Sequence, residues 1–212
     1  IQFYKRIVRF RFFNTRFFRE FERFDRHIEK LRKKGESERV HYVSICSPNY
    51  LRDAHIRFAL RIGADAIVKS AGYKSLEHDP LLELQEEYGK KIYTILQLRV
   101  HPSLVALREK ILLEKKTQKY KVNLTYITSR GNWYLNSWKG NLERSGGLAT
   151  NIGIHFFDLL IWLFGNVKDV EVHISDPRKI SGYLELDRAE VKWYLSIDKN
   201  DLPFQAVPGG KT

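Results

Sequence analysis

Asn151, His155 and Asp158 stand at i, i+4 and i+7 of an otherwise apolar stretch, a spacing that places them on one face of a helix. Their neighbours, Ile152-Gly153-Ile154 and Phe156-Phe157, are hydrophobic or small. A polar row in such surroundings is costly unless something satisfies it. An imidazole titrates near neutrality, at roughly 6.5, so His155 is suited to accept a proton from a substrate hydroxyl. A lysine cation nearby favours the alkoxide that develops as the proton leaves, and Lys69, at the end of a predicted strand, is the candidate. Each residue also has a plainer reading: His155 as a hydrogen-bonded core histidine, Lys69 as a solvated strand-end lysine. Asp158 suits a structural role, holding its helix against a neighbouring loop, better than that of a base.

The elements that must position these groups follow from periodicity and turn signals. Phe17 to Lys33 reads as a helix with Phe18, Phe21, Phe24, Ile28 and Leu31 on its apolar side, closed by a basic last turn and Gly35. His41–Cys46, Ala64–Val68 and Lys91–Leu98 read as strands, with helices over Asp53–Ile62 and Leu81–Tyr88 between them; Ser47-Pro48-Asn49 reads as a turn. Strand and helix alternating with short links predict a parallel α/β sheet, and ligands of such sheets gather beyond the carboxyl ends of the strands. Ser47-Pro48-Asn49, Lys69 and Arg99 fall there. Beyond Arg99 the pattern changes. A helix over Ser103–Glu114 precedes alternating segments at Lys121–Ser129, Asp169–Ile174, 183–187 and Glu190–Ile197, with the helix led by Gly146-Gly147 among them. This predicts an α+β domain with an open, mainly antiparallel sheet and a core helix, with domains over 1–100 and 101–212.

Composition narrows the classes. The 212 residues can bury a real core. The single cysteine, Cys46, excludes an internal disulfide and points to a reducing, cytoplasmic compartment. No apolar run is read as a membrane span, and the start is too charged for a secretory signal. The net charge of +12 is uneven, since residues 1–40 carry 13 Lys/Arg against 6 Asp/Glu. A basic, aromatic-rich arm is compatible with nucleic acid, but a solvated helix face accounts for the same charge and is the preferred reading. His78, His101 and His173 show no metal-ligand spacing, so no metal is assigned. Ser145 is not in a nucleophile elbow, because no Gly-x-Ser-x-Gly occurs.

Several stretches together resemble the Gfo/Idh/MocA oxidoreductases. They are Phe21–His27, Val43–Tyr50, Leu96–Ser103, Thr128-Ser129-Arg130-Gly131, Trp138-Lys139-Gly140 and, most specifically, Gly146–Asp158. The resemblance covers roughly residues 17–212 and favours the sugar-nucleotide dehydrogenases of bacterial surface-polysaccharide synthesis. It implies a Rossmann-like first domain that binds NAD, and oxidation of a hydroxyl on an acidic sugar nucleotide of the UDP-N-acetylglucosaminuronate kind. It implies that Ser47, Pro48, Asn49 and Gln97 lie along the coenzyme, and that Lys69 bridges coenzyme and substrate hydroxyl. His155 is then the proton-transfer residue, Asn151 stands where many relatives carry aspartate, and Arg99 and Lys139 suit the carboxylate or diphosphate. Arg99 has an interdomain salt bridge as its other reading. The resemblance also implies a homo-oligomer, paired through an apolar outer face of the second-domain sheet.

The sequence departs from the family pattern in ways that set further expectations. No Gly-x-Gly-x-x-Gly follows a first strand, so the pyrophosphate cradle and the acidic ribose selector are not found. The Glu-Lys-Pro motif reads Val68-Lys69-Ser70, and the chain stops at Thr212, before the family's last strands. These features predict a copy shortened at both ends, with an incomplete parallel sheet. The alternatives are a remnant that keeps only sugar-nucleotide recognition, and a non-catalytic oligomerising module with a basic N-terminal arm.

Overall fold

The computed structural model describes residues 16–69, 80–115 and 117–203. The basic segment 1–15, residues 70–79 (with Ser70 of the altered lysine motif and His78), Lys116 and 204–212 lie outside the described residues. The described residues fall into two compact units, divided between His41 and Tyr42.

The first unit holds helix α1 (Phe21–Lys34). It starts later than its apolar pattern suggests, with Phe18 before it and packed edge-to-face on Phe24, ring centres 5.8 Å apart. Glu22 sits in the first turn and Arg32, Lys33 and Lys34 in the last, charges that complement the helix dipole. Gly35 ends it at φ 118°.

The second unit opens with strand β1 (Tyr42–Ile45), helix α2 (Asn49–Arg61), strand β2 (Asp65–Lys69), helix α3 (Pro80–Tyr88) and strand β3 (Ile92–Ile95). The strands pair in parallel in the order β1-β2-β3. Ile45, Ala66 and Val68 pack on Ile56, Ala59, Leu60 and Leu81 from the helices. Two boundaries differ from expectation. Asn49 begins α2 instead of ending a turn, because its buried side chain donates from Nδ2 to the Ser145 carbonyl at 2.8 Å; a tertiary contact overrides the local turn preference. β3 stops at Ile95, and Gln97–Val100 tightens into a 3-10 turn whose Arg99 is tied elsewhere.

Helix α4 (Pro102–Leu113) leads to strand β4 (Tyr120–Ile127), short helices α5 (Asn132–Asn136) and α6 (Leu142–Ser145), helix α7 (Ile154–Phe164), and strands β5 (Val167–Ser175), β6 (Lys179–Leu186) and β7 (Ala189–Ser196). The sheet runs β4-β7-β6-β5. β4 pairs with β7 in parallel and the other pairs are antiparallel, so the sheet is mixed and open. Leu160, Leu163 and Phe164 of α7 bury against Leu184, Leu186, Val191, Trp193 and Leu195. The opposite face carries Lys121, Asn123, Tyr183, Glu190 and Lys192. It is polar, which corrects the expectation of an apolar outer face. Alternation explains it: these positions are one residue out of phase with the core residues. Exposed apolar surface sits instead on β5, where Val170 and Val172 are more than half exposed.

By length and composition alone, the helical run Leu142–Phe164 is apolar enough to cross a membrane, although the sequence reading found no such run. Its apolar residues serve the sheet core. The run also changes direction at Gly146 and Gly147, whose φ values are 75° and 73°, a left-handed conformation open to glycine at little cost.

Candidate active site

The carboxyl ends of β1 and β2 open onto a cavity of about 310 Å³ within the second unit. Cys46 and Ser47 follow β1, and Lys69 is the last residue of β2. The opposite wall comes from the second sheet's helices and loops and includes Asn151 and His155. Lys69 and His155, 86 positions apart in sequence, therefore line one chamber.

A wide turn of π-helix, Ala149–Gly153, precedes α7, so the polar row is not one uniform α-helical face. Such insertions recur at functional sites. Asn151, on this turn, and His155, on α7, both reach the cavity. Asp158 does not line it. Its carboxylate, 9% exposed, accepts two hydrogen bonds from Arg99, one from Nε at 2.7 Å and one from a terminal guanidinium nitrogen. The aspartate thus holds α7 to the 3-10 turn after β3.

Burial pushes the His155 imidazole below its ordinary value, and the Lys69 cation pushes it the same way, against a smaller opposing pull from Asp158. The ring is neutral at pH 7 and able to take a proton. Its Nδ1 is buried with no hydrogen-bond partner among the described residues, and so is the Asn49 Oδ1. Orphaned buried groups are costly, and the one on His155, which lines the cavity, marks a place where a ligand or water repays the cost.

Lys139 enters from the loop after α5. Its ammonium lies 5.2 Å from the Trp133 ring centre and 5.9 Å from that of Trp138. Desolvation, then the charges of Arg130 and Lys69, lower its pKa. Gly140 shapes this loop: a Cβ there would lie 2.3 Å from the Leu135 carbonyl oxygen. Tyr134 is buried beneath, packed with Leu148 and Ile197. Its hydroxyl accepts a long 3.5 Å contact from the Asn151 amide, and burial raises its pKa. A second chamber of about 300 Å³ shares Tyr134 and Lys139 and continues past Gly146 and Gly147 to Ser175–Pro177.

Of the residues singled out from sequence, the fold brings Ser47, Lys69, Lys139, Asn151 and His155 into the cavity lining. Pro48, Asn49, Gln97 and Arg99 stand outside it. Arg99, expected on the substrate, has its guanidinium taken up by Asp158. Sequence reasoning missed Arg52, Arg130, Tyr134 and Trp138 as lining residues. Arg130 lay within the quoted Thr128–Gly131 stretch, yet nothing in its spacing distinguished it from a solvated arginine.

The donors here suit an anionic, hydroxyl-bearing ligand. Ser47 and Lys69, at the carboxyl edge of a parallel sheet, also fit the sugar-facing end of a dinucleotide. No Gly-x-Gly-x-x-Gly cradle is found in the sequence.

Residues 115–196 match the C-terminal alpha/beta domain of the Gfo/Idh/MocA oxidoreductase family. The chain is 50% identical to the WlbA (WbpB) dehydrogenase of Thermus thermophilus, solved with NAD and α-ketoglutarate. The TM-score is 0.83, and the match covers 93% of this chain and 63% of that one. The same enzyme solved with NAD and UDP-GlcNAcA matches with equal identity and TM-score over 64% of its length. WlbA of Bordetella pertussis, with NADH and UDP-GlcNAcA, shares the fold at 17% identity and TM-score 0.66, over 82% of this chain and 53% of that one. The chain thus spans under two thirds of the Thermus enzyme. The parallel sheet, the open mixed sheet and the match over residues 115–196 converge: residues 115–196 form the C-terminal alpha/beta domain of the Gfo/Idh/MocA oxidoreductases, and the chain as a whole is similar to an oxidoreductase that carries it.

Proposed function

We propose that the chain acts as an NAD-dependent dehydrogenase that oxidises a hydroxyl of an acidic sugar nucleotide of the UDP-GlcNAcA kind. The observation that carries this reading is the shared chamber of Lys69 and His155, rich in cations and with no carboxylate among its lining residues. The 50% identity to a dehydrogenase solved with NAD and UDP-GlcNAcA supports it.

In this reading Ser47 holds the nicotinamide-ribose end of the coenzyme, which when bound supplies the hydride acceptor, and Asn49 fixes the backbone behind it through Ser145. His155, neutral in its partly desolvated position, takes the hydroxyl proton as the carbon–oxygen double bond forms. Lys69 steadies the alkoxide that develops at that oxygen. Asn151 and Lys139 hold the sugar and its charged groups. Pro48 and Gln97 shape the coenzyme side, and the division between coenzyme and substrate lobes falls near residue 100. Cys46, the single cysteine, agrees with a reducing cytoplasm.

The test is binding before turnover. Titration of the protein with NADH, followed by its fluorescence, and with UDP-GlcNAcA, followed by thermal shift, is expected to saturate for both. Binding of the sugar nucleotide without NADH would replace the enzyme reading with a module that only recognises sugar nucleotides. Binding of neither would overturn both.

A second copy of the chain is the expected partner. β5 is an edge strand exposed along its whole length, and an open edge with apolar side chains favours pairing. Light scattering after size exclusion should report a dimer or larger; a monomer at every concentration would remove this part of the proposal.

A further inference from the structure

The cations of the cavity differ in how firmly they are already committed. Arg52 donates from Nε to the Ser47 carbonyl at 3.1 Å and so holds the end of β1. Arg99, outside the cavity lining, is spent on Asp158. Arg130, Lys69 and Lys139 form no ion pair with a carboxylate among the described residues, and the charges of Arg130 and Lys69 both act on Lys139. Three like charges gathered around one chamber repel one another, and an anion removes the penalty.

Arg130, like Lys69 at the end of β2, stands on hydrogen-bonded backbone. It follows β4 directly. The Thr128 N–H donates to the Ser196 carbonyl at 2.9 Å, and the Arg130 N–H donates to the Ile197 carbonyl at 3.0 Å. The backbone therefore stays hydrogen-bonded to the chain leaving β7 up to the arginine itself, although the pairing slips by one residue after Thr128. The Arg130 guanidinium carries the planar fork that a carboxylate accepts at two points. Lys139, held beside two indole rings, adds a point charge but no such fork.

We propose that Arg130 is the specificity-determining residue that reads the carboxylate of an acidic sugar, with Lys139 as its second cation. This rests on the sugar-nucleotide reading above. It assigns acid-over-neutral selectivity to the loop after β4 and removes Arg99 from that role.

The test is calorimetric titration of wild type, Arg130→Met and Arg130→Lys with UDP-GlcNAcA and with its neutral counterpart, UDP-N-acetylglucosamine. Wild type should prefer the acid. Arg130→Met should bind the acid about 10- to 100-fold more weakly and the neutral sugar unchanged, which also shows that the variant is folded. Arg130→Lys should recover part of the preference. If Arg130→Met keeps the wild-type preference, or weakens both ligands equally, the proposal is overturned while the sugar-nucleotide reading stands. If wild type binds neither nucleotide, the reading itself fails and takes the proposal with it.

Discussion

Asp158 lies three residues after His155 on α7, yet its carboxylate stands outside the cavity lining and grips one edge of the Arg99 guanidinium through Nε and a terminal nitrogen. The pair fixes the helix that carries the imidazole to the turn that follows β3. Its two partners are unequally buried, at 9% exposure for the aspartate side chain and 41% for the arginine.

That inequality predicts an asymmetric response to mutation. Arg99→Met strands a nearly buried carboxylate and should cost about 2–3 kcal/mol, below the range for fully buried pairs because Arg99 is partly solvated. Asp158→Asn leaves a guanidinium that water can reach and should cost about 1 kcal/mol. Urea denaturation of the two variants measures the difference. Equal losses would contradict the assignment of the burden to the aspartate.

The histidine titration has a definite sign. Desolvation first, then Lys69, lowers the His155 pKa, and Asp158 raises it. The neutral form is therefore favoured in the folded protein. Its stabilising contribution is present above the unfolded value, about 6.5, and is lost as pH falls through the folded one. Lys69→Met should move the His155 pKa up, and Asp158→Asn should move it down. NMR titration, with the resonance assigned through His155→Asn, reads both shifts, and the acid limb of any pH–rate profile should follow them.

Much of the fold was legible because its signals are local. Ala66 and Val68 are buried as the β2 pattern requires, and Glu190, Lys192 and Tyr194, out of phase with the core positions of β7, are less buried. The lysine at a strand end and the histidine in an apolar run were legible for the same reason: each is the wrong residue type for its neighbourhood. What could not be read depends on partners distant in sequence. Asn49 looks like a turn residue until Ser145 supplies its hydrogen bond. Arg99 and Arg130 look alike in sequence, and only the fold shows that one is consumed by Asp158 while the other lines the cavity. The π-turn at Ala149–Gly153 leaves no periodic trace, since it merely adds a residue to one turn.

Gly140 tests how tightly the Lys139 loop is set. An added methyl would meet Leu135 backbone atoms, the nearest at 2.3 Å, and main chain cannot swing aside as a side chain can. Gly140→Ala should lower stability by about 1–3 kcal/mol and weaken binding of the acidic nucleotide by displacing Lys139. A thermal melt paired with the calorimetric titration checks both; a variant with unchanged melting temperature and affinity would show that the loop tolerates rearrangement.

The most direct measurement is NADH formation from NAD and UDP-GlcNAcA, followed at its absorbance band, for wild type and His155→Asn. The account predicts turnover by wild type and a loss of about 100-fold or more in kcat for the variant, with UDP-GlcNAcA affinity retained. A variant that turns over at the wild-type rate would contradict proton transfer at position 155 and, with it, the dehydrogenase mechanism proposed for this cavity.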